Sequence, residues 1–463
     1  MRWSTTVPQC GNGALRALTD LPHCGTIVDH RNPELLGRLL DQLGEQLRAR
    51  QGQLGALGVA DLAELRERVE PGERPAHIVV LVDRFEVFDR DFASFDNGSY
   101  VDRFLALLRD GASVGIHFVL AGDRVLGSSR YASTTDDKLV LRMNDASDWA
   151  MFGIRVRDVP EGMPAGRALR ASDGVEVQIA VLPTGAAPAP DTSGAGQALA
   201  IGAIAGELTG RHTAVPAHRG PYRLRQLPDQ IDYETAAVSA RRDGPLWALV
   251  GVGGDAAVGI GIDLGRTPTF MIAGSPRSGV STALLTMARS LLESGTELLV
   301  LAPRRSPVRD LAGREGVIQV ITDSDVPLDR FQEAMRGMKG ATGAVLVDDA
   351  ELFLQAEIGP VLTALARGAA GEGWAVVTAG NAEALSNAIG GWAAQIRRNR
   401  TGLLLAPQSL GDGEAIGVRL SRGLIGQQPR PGRAYLHLGD NRLIAVQVPS
   451  ASSAGVPPDA RRP

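Results

Sequence analysis

Cysteine and long apolar runs are both scarce in this chain of 463 residues. Its only cysteines, Cys10 and Cys24, have neither the spacing of metal ligands nor that of a disulfide framework, which indicates a reducing cytosolic compartment. No run reaches the roughly 18 apolar residues that a membrane span needs, and the N-terminus has no signal-peptide pattern. We therefore expect a soluble, cytoplasmic protein that reaches a membrane only through a partner or through sequence outside these residues.

Lysine is scarce as well, and the chain has no surplus of positive charge. Lysine occurs only at Lys138 and Lys339, the formal net charge is -4, and the sequence pI is near 6.0. Proteins that bind nucleic acid along their whole surface normally have a basic surplus, so this composition argues against that class and leaves only a local basic stripe. The chain is long enough for about two to four domains, and its 44% hydrophobic residues are enough to give each domain a core.

Two pairs of similar segments indicate an internal repeat. In VVLVDRFEVF and in AVLVDDAELF, an apolar run ends at an acidic residue. Farther along the chain, AGRALRASDGVEVQIAVLP resembles PGRAYLHLGDNRLIAVQVP. Asp83 and Gly166 are 83 positions apart in the first copy, and Asp348 and Gly432 are 84 apart in the second. Chance rarely preserves such spacings, so we predict two copies of one domain.

The second copy alternates short apolar strands with helical periodicity. TFMIAG leads into a glycine-containing loop, and STALLTMARSLLESG follows with apolar residues at helical spacing. ELLVLAP, AVLVDDA and WAVVTAG are continuously apolar, as parallel strands covered on both faces are. This pattern predicts an α/β fold with the loop at the carboxyl edge of a parallel sheet.

A stretch rich in Gly, Ala and Pro separates the two copies and predicts a linker. We expect a first domain at 1–183, the linker at 184–200, a second domain at 201–449, and a disordered tail at 450–463.

The loop GSPRSGVST resembles a phosphate-binding loop (Walker A) that has lost its lysine. The template is Gly, four residues, Gly, Lys and then Ser or Thr. Val280 stands at the lysine position. In such a loop, backbone N–H groups and a helix N-terminus converge on phosphate oxygens, and Arg277 is a further candidate for reaching them. The candidate nucleotide-binding residues are therefore Gly274, Ser275, Pro276, Arg277, Ser278, Gly279, Val280, Ser281 and Thr282.

The acidic pair of AVLVDDAELF lies at the distance expected of the second P-loop motif. Asp348 would hold Mg2+ through water, together with the Ser281 hydroxyl, and Asp349 would polarise the attacking water. Loss of the lysine removes one charge-assisted hydrogen bond, worth about 1.5–3 kcal/mol, or roughly 10- to 100-fold in affinity. We therefore expect weak ATP binding and feeble hydrolysis. The alternatives are an ordinary turn of small residues and a strand followed by an Asp-capped helix.

The first copy lacks an equivalent loop. Gly274 precedes Asp348 by 74 positions, and the same distance before Asp83 reaches position 9, where PQCGNGALRAL contains no such motif. A long helix predicted over 33–53 and capped by Asn32 displaces any loop still farther upstream. We expect the chain to begin inside its first domain.

These residues resemble the FtsK/SpoIIIE family of P-loop motor ATPases, in particular the tandem-domain coupling ATPases of type VII secretion. The resemblance rests on LPHCGTIVDHRNPELLGRLLDQLGEQLRARQ, HIVVLVDRFEVF, GIHFVLAGDR and AGRALR in the first copy, and on PDQIDYETA and LVGVGGDAAVGIGIDLGRTPTFMIAGSPRSGVSTALL in the second. It implies two tandem RecA-like domains, each a parallel sheet flanked by helices, that bind ATP and Mg2+ between subunits, commonly in hexameric rings. It also implies that Arg124 lies near a subunit boundary and acts on a neighbour's nucleotide.

The chain departs from the family pattern at several positions. Val280 replaces the lysine, and Arg84 follows Asp83, so the second carboxylate of the first copy is absent unless Glu86 substitutes. In the family, the strand beside the γ-phosphate usually ends in a polar residue and is followed by an arginine; the second copy has Thr378 and Asn381 there but no arginine that matches Arg124.

Three functions therefore remain open. The first is an ATP-binding motor-type protein in a ring-shaped, secretion-like assembly that moves a substrate protein, built as a homo-oligomer or with related ATPase subunits. The second is an ATP-dependent DNA translocase, which the acidic balance makes less favourable. The third is a non-catalytic module that binds partners or regulates a neighbouring domain.

Overall fold

The computed structural model divides into two compact units, Met1–Leu224 (unit 1) and Arg225–Pro463 (unit 2). Within that part of the chain which the structure describes, no helix is long and apolar enough to cross a membrane. The described residues are 3–9, 14–135, 137–183, 191–211, 220–368, 373–426, 430–440 and 442–450.

Unit 1 contains one parallel and one antiparallel sheet. The parallel sheet has the order β2-β1-β3-β4, and the antiparallel sheet has the order β5-β6-β7. The strands are β1 (Trp3–Gln9), β2 (Cys24–Asp29), β3 (His77–Val82), β4 (Ile116–Leu120), β5 (Leu139–Leu141), β6 (Arg167–Arg170) and β7 (Glu176–Gln178). The helices are α1 (Pro33–Leu57), α2 (Leu62–Arg68), α3 (Phe85–Phe92), α4 (Ser99–Asp110), α5 (Ser129–Ala132), α6 (Ala146–Met151) and α7 (Gly194–Arg211).

Unit 2 is built on a single sheet of ten strands, with the order β12-β11-β13-β14-β10-β15-β16-β17-β8-β9. Pairing is parallel from β12 to β15 and antiparallel from there to β9. The strands are β8 (Trp247–Gly253), β9 (Val258–Asp263), β10 (Thr269–Gly274), β11 (Glu297–Leu301), β12 (Val317–Ile321), β13 (Gly343–Val347), β14 (Trp374–Asn381), β15 (Thr401–Leu405), β16 (Arg433–Leu438) and β17 (Leu443–Gln447). The helices are α8 (Tyr233–Val238), α9 (Val280–Glu293), α10 (Leu328–Gly337), α11 (Gly359–Ala366), α12 (Ala382–Ser386) and α13 (Gly391–Arg398).

The apolar segments of unit 2 form its central strands because both faces of the sheet are covered. Every residue of β10 and of β13 is buried, which matches their continuous hydrophobicity. Helix α9 buries Leu284, Met287, Ala288 and Leu291, which recur at helical spacing, against the same core. This confirms the α/β fold and places the loop between β10 and α9 at the carboxyl edge of the parallel strands.

Helix α1 of unit 1 begins where its sequence signals predicted. Pro33 is its first residue, the Asn32 side chain accepts a hydrogen bond from the Leu35 N–H at 3.1 Å, and its leucines are buried at helical spacing. The helix extends to Leu57, four residues beyond the predicted end, because Gly58 supplies the left-handed C-cap with φ 62°.

Strand order confirms that the two units repeat one topology. The order β2-β1-β3-β4 in unit 1 matches β12-β11-β13-β14 in unit 2. The acidic strand ends at Asp83 and Asp348 therefore follow equivalent strands, β3 and β13.

Unit 1 has no described counterpart of β10. In unit 2, β10 lies between β14 and β15 and joins the parallel strands to the antiparallel part of the sheet. In unit 1 the equivalent strands β4 and β5 belong to separate sheets. Position 9, where the repeat spacing would place a loop, lies in β1, the counterpart of the strand that follows α9.

The boundary between the units differs from the predicted one. The compact units divide after Leu224, whereas the predicted linker covers 184–200. Residues 184–190 of that linker lie outside the described part of the chain, but its later residues begin helix α7. The helix is anchored to the first domain because the Gln197 amide hydrogen-bonds both backbone groups of Leu182, at 2.9 and 3.0 Å.

The predicted tail lies almost wholly outside the described residues, since 451–463 are not described. Ser450, its first residue, belongs to unit 2, because its N–H donates to the Ile231 carbonyl oxygen at 2.9 Å.

Candidate functional site

The loop GSPRSGVST connects β10 to α9 with two residues in the left-handed region. Arg277 has φ 65°, and Gly279, which precedes the helix, has φ 103°. Gly274 has no room for a side chain, because a Cβ atom there would lie 2.5 Å from the Ser278 Oγ and 3.0 Å from the Leu405 carbonyl oxygen. The chain thus forms a tight strand–turn–helix, the shape in which P-loops hold phosphate.

The first turn of α9 offers the amides for an anion. The opening N–H groups of an α-helix have no acceptor within the helix, and in α9 these belong to residues 279–282. The N–H of Ser278, which the sequence places among the donors, donates instead to the Ser275 carbonyl oxygen at 3.2 Å. The anion-binding capacity of the loop therefore lies in the helix turn itself.

Val280, at the lysine position, contributes packing rather than charge. Its side chain is half-buried against the apolar core of unit 2. Arg277, the candidate replacement for the lysine, is exposed in the loop.

The P-loop and the acidic motif meet through one hydrogen bond. The Ser281 Oγ donates to the Asp348 Oδ1 at 3.0 Å, although the two residues are 67 positions apart. Asp348 directly follows β13 and is only 1% exposed. Burial raises the pKa of this carboxyl, the hydroxyl of Ser306 opposes that change, the charge of Asp349 adds to it, and the hydrogen bond from Ser281 opposes it.

Several buried oxygens near this contact lack a hydrogen-bond partner among the described residues. A buried polar atom without a partner costs about 1–3 kcal/mol, so each such atom calls for a water, an ion or a ligand to complete its hydrogen bonds. These atoms lie on the P-loop, on the acidic turn and on β14, and they are the Ser278 Oγ, Asp349 Oδ2 and Thr378 Oγ1.

The donor set fits Mg2+ bound together with phosphate. In the described part of the chain, no three His, Cys, Asp or Glu side chains cluster so as to hold a metal ion. Mg2+ usually takes one or two protein oxygens and completes its shell with water and substrate phosphates. Ser281 and Asp348 supply such a pair, so these residues fit the magnesium ion of a P-loop.

Asp349 is held by an arginine that sequence reasoning missed. Asp349 has φ 50°, and the Arg304 Nη1 lies 3.3 Å from its Oδ1 and 2.9 Å from the Glu351 Oε1. Burial raises the pKa of Asp349, and the positive charge of Arg304 opposes that change. Arg304 therefore links the loop after β11 to the acidic turn after β13.

Glu351 also joins the acidic turn to β14. Its Oε2 accepts from the Asn381 N–H at 3.1 Å, and a Cβ atom at Gly380 would lie 2.6 Å from the same oxygen. The arginines after ELLVLAP, at the carboxyl edge of a parallel strand, and the glutamate of DDAE were the available sequence signals.

Unit 1 contains the same acidic turn with an arginine inside it. Arg84 has φ 55°, like Asp349 in unit 2, and its Nε lies 3.3 Å from the Glu86 Oε1. The Glu86 Oε2 is buried and has no hydrogen-bond partner among the described residues. Glu86 thus corresponds to Glu351, and Arg84 occupies the position of Asp349, the second carboxylate of unit 2.

Arg124 lies in unit 1 and so in a different unit from Asp348 and Asp349. It is exposed and opens a short 3-10 helix, which the Asp123 side chain caps by accepting from the Val125 N–H at 2.9 Å. Its predicted action on a neighbouring nucleotide stays a prediction.

Sequence comparison relates the chain to secretion proteins. No family model matches it. The chain is 25% identical over 291 residues to the ESX-4 secretion system protein EccC4 of Mycobacterium tuberculosis, which covers 62% of this chain and 21% of that protein. It is 21% identical over 466 residues to the ESX secretion system protein EccC of Geobacillus thermodenitrificans, which covers 95% of this chain and 30% of that protein. The chain therefore spans less than a third of the length of either relative.

Solved structures with similar folds also contain tandem ATPase domains. EssC ATPases 2 and 3 of Geobacillus thermodenitrificans superimpose with a TM-score of 0.66 at 18% identity, over 97% of this chain and 85% of that one. ATPases 2 and 3 of Thermomonospora curvata EccC, solved with a signal sequence peptide, give a TM-score of 0.58 at 20% identity, over 97% and 83% of the two chains. The chain is thus similar in sequence to EccC proteins of ESX secretion systems, and it shares the fold of the tandem ATPase domains of EssC and EccC.

Proposed function

We propose that unit 2 binds Mg·ATP weakly and that the chain serves as an ATP-binding component of a ring-shaped, secretion-like assembly. The observation that carries the proposal is the hydrogen bond from Ser281 to Asp348 at 3.0 Å, which joins the P-loop to the acidic motif. The buried oxygens without partners around this contact support it, because a bound magnesium nucleotide would supply their missing partners.

Each residue of the site would have a separate role. The N–H groups of residues 279–282 would hold phosphate oxygens at the start of α9. Ser281 and Asp348 would hold Mg2+, directly and through water, and Mg2+ would supply positive charge at the β- and γ-phosphates. Asp349, whose Oδ1 is turned toward Arg304, would orient a water through its other oxygen.

Hydrolysis in unit 2 would be feeble. The lysine of a P-loop acts on the transferring phosphate, and such electrostatic stabilisation is usually the largest catalytic contribution. Val280 cannot provide it. Nucleotide binding in this domain would therefore regulate or stabilise an assembly rather than drive fast turnover.

For the assembly and its substrate, the relatives give the supporting precedent. We propose that the chain forms a homo-oligomer, with a hexamer as the family precedent, or joins related ATPase subunits, and that it reaches a membrane through partners. A peptide is the favoured cargo, because a similar protein was solved with a signal sequence peptide and because this chain has a net charge of -4. Arg124 would face the nucleotide of a neighbouring subunit.

Calorimetric titration of Mg·ATP into the full chain tests the proposal. Wild-type protein should bind more tightly with Mg2+ than with EDTA, and Ser281→Ala should lose most of that difference. Ser294→Ala is the matched control, since this hydroxyl lies at the other end of α9 and donates to the Ser290 carbonyl oxygen at 3.1 Å.

Two results would contradict the proposal. If wild-type protein bound no ATP, the non-catalytic module would become the better interpretation. If anisotropy showed tight duplex DNA binding that fell steeply with added salt, the DNA translocase would be favoured over a peptide-moving assembly.

A further inference from the structure

Glu351 uses both of its carboxylate oxygens at the edge of the candidate nucleotide site. Its Oε1 accepts from the Arg304 Nη1 at 2.9 Å, and its Oε2 accepts from the Asn381 N–H at 3.1 Å. The Glu351 side chain is only 17% exposed, whereas that of Arg304 is 57% exposed. Because a backbone N–H fixes the carboxylate, Glu351 determines where the more exposed guanidinium lies.

The end of β14 leaves room for this carboxylate. A Cβ atom at Gly380 would lie 2.6 Å from the Glu351 Oε2 and 3.1 Å from the Ala350 N, so any larger residue there would displace the glutamate. Asn381 is held in turn, since its Oδ1 caps α12 by accepting from the Ala384 N–H at 3.0 Å. Glu351 is therefore anchored to the end of a central strand.

Arg304 is shared between two carboxylates. Its Nη1 lies 2.9 Å from the Glu351 Oε1 and 3.3 Å from the Asp349 Oδ1. The other oxygen of Asp349, Oδ2, is buried and has no hydrogen-bond partner among the described residues. The arginine thus covers one oxygen of Asp349 and leaves the other open.

Unit 1 forms the same arginine–glutamate pair from a different position in the chain. Glu86, the counterpart of Glu351, has its Oε1 at 3.3 Å from the Arg84 Nε, and a Cβ atom at Gly122 would lie 3.4 Å from its Oε2. The arginine of unit 1 comes from the acidic turn itself, whereas that of unit 2 comes from the loop after β11. In unit 2 the glutamate therefore still holds an arginine, while the turn position carries the carboxylate of Asp349.

We propose that Glu351 is a positioning residue of the nucleotide site, which holds Arg304 on one oxygen of Asp349 and so keeps the other oxygen available to the attacking water. This inference rests on the proposed function, in which Asp349 orients that water. Glu351 contributes no group to the nucleotide and acts through Arg304. Because two carboxylates share one guanidinium, neither of them takes its whole charge.

Removal of the Glu351 charge releases the arginine onto Asp349. Glutamine preserves the shape of the side chain and an oxygen for the Asn381 N–H, but its neutral amide competes poorly for a guanidinium. The fork of an arginine fits a single carboxylate through both oxygens. In Glu351→Gln both oxygens of Asp349 are therefore occupied, and the water loses its acceptor. Phosphate binding persists, because it depends on the N–H groups of residues 279–282.

The test measures nucleotide binding and hydrolysis separately in the full chain. Calorimetric titration gives the Mg·ATP affinity, and a single turnover with protein in excess gives the rate at which bound ATP and water become ADP and phosphate. Glu351→Gln should change the affinity less than about threefold and lower the rate at least about tenfold. Glu86→Gln, the same change at the equivalent position of unit 1, is the matched control and should alter neither quantity.

A second substitution separates positioning from a purely structural role. If Glu351→Gln acts by releasing Arg304 onto Asp349, removal of the arginine frees that carboxylate again. The double variant Arg304→Gln/Glu351→Gln should therefore hydrolyse ATP at least about threefold faster than Glu351→Gln alone, whereas two independent structural losses would add.

The outcomes distinguish this inference from the proposed function. Wild-type protein that binds no Mg·ATP would overturn both. If wild-type protein binds Mg·ATP but Glu351→Gln hydrolyses it as fast as Glu86→Gln does, only the positioning role is overturned. The same holds if the double variant is no faster than Glu351→Gln, or if wild-type protein binds Mg·ATP and hydrolyses none, since Asp349 would then orient no water.

Discussion

Restoring the missing lysine is the sharpest test of the site in unit 2. Val280 is the first residue of α9, and its side chain is half-buried against the core. In Val280→Lys the apolar stem can follow the same surface while the ammonium extends toward the phosphates. The change therefore adds one charge at the position where P-loops carry it.

Two opposing effects determine the size of the change. A charge-assisted hydrogen bond to phosphate is worth about 1.5–3 kcal/mol, which corresponds to roughly 10- to 100-fold in affinity. A cation in the first turn of a helix costs about 0.3–1 kcal/mol in the free protein. We therefore expect Mg·ATP affinity to rise by about one to two orders of magnitude, while the free energy of unfolding without nucleotide falls by about 1 kcal/mol or less.

The measurement is calorimetric titration of Mg·ATP into the full chain, beside urea unfolding without nucleotide. Val238→Lys is the matched control, since Val238 is 89% exposed on α8 and the change should leave ATP affinity unaltered. Equally tight binding by wild type and Val280→Lys would show that Arg277 or another cation already supplies the charge. If neither protein bound, the loop would have the shape of a P-loop without its function.

Three further predictions concern single contacts. Arg304→Gln should lower Mg·ATP affinity only a few-fold, because Arg304 is 57% exposed and its ion pairs with Asp349 and Glu351 are screened. Calorimetric titration beside Arg305→Gln, a change at an exposed neighbour, measures this effect. An unchanged affinity in Arg304→Gln would remove Arg304 from the site. Gly274→Ala should weaken nucleotide binding, because its Cβ would lie 2.5 Å from the Ser278 Oγ and 3.0 Å from the Leu405 carbonyl oxygen and would displace the loop. Gly359→Ala, whose Cβ would meet nothing closer than 3.6 Å, should bind as wild type does. Arg50→Met should lower the free energy of unfolding of unit 1 by about 2–4 kcal/mol, since Arg50 is buried and donates to the Val114 and Ala76 carbonyl oxygens, which would lose their partner. Arg48 lies on the same helix but is exposed, so Arg48→Met should change the free energy of unfolding little. Equal melting temperatures for the two variants would refute the argument.

Local patterns were enough to predict much of the fold. The continuous hydrophobicity of TFMIAG and AVLVDDA predicted buried parallel strands, and the structure buries every residue of β10 and β13. Asn32 and Pro33 predicted the start of α1, because capping depends on residues only three positions apart. The spacing of the repeats predicted the equivalence of β3 and β13. The same reasoning predicted a linker at 184–200, whereas the compact units divide after Leu224; the contact of Gln197 with Leu182 has no local signal in the sequence.

The tertiary structure decided which side chains meet. The sequence proposed that Ser281 and Asp348 act together, by resemblance to a template, but only the sheet brings them to 3.0 Å. Arg304 and Glu351 are 47 positions apart and meet because β11 and β13 are neighbours in a parallel sheet, whose carboxyl ends share one edge. Among the described residues, β4 and β5 each pair on one side only, and this too depends on strand order, since an apolar run has the same sequence whether or not a neighbouring strand covers it. Hydrophobic pattern thus specifies which segments form strands, while the pairing of strands distant in sequence determines which polar groups converge and which edges stay open.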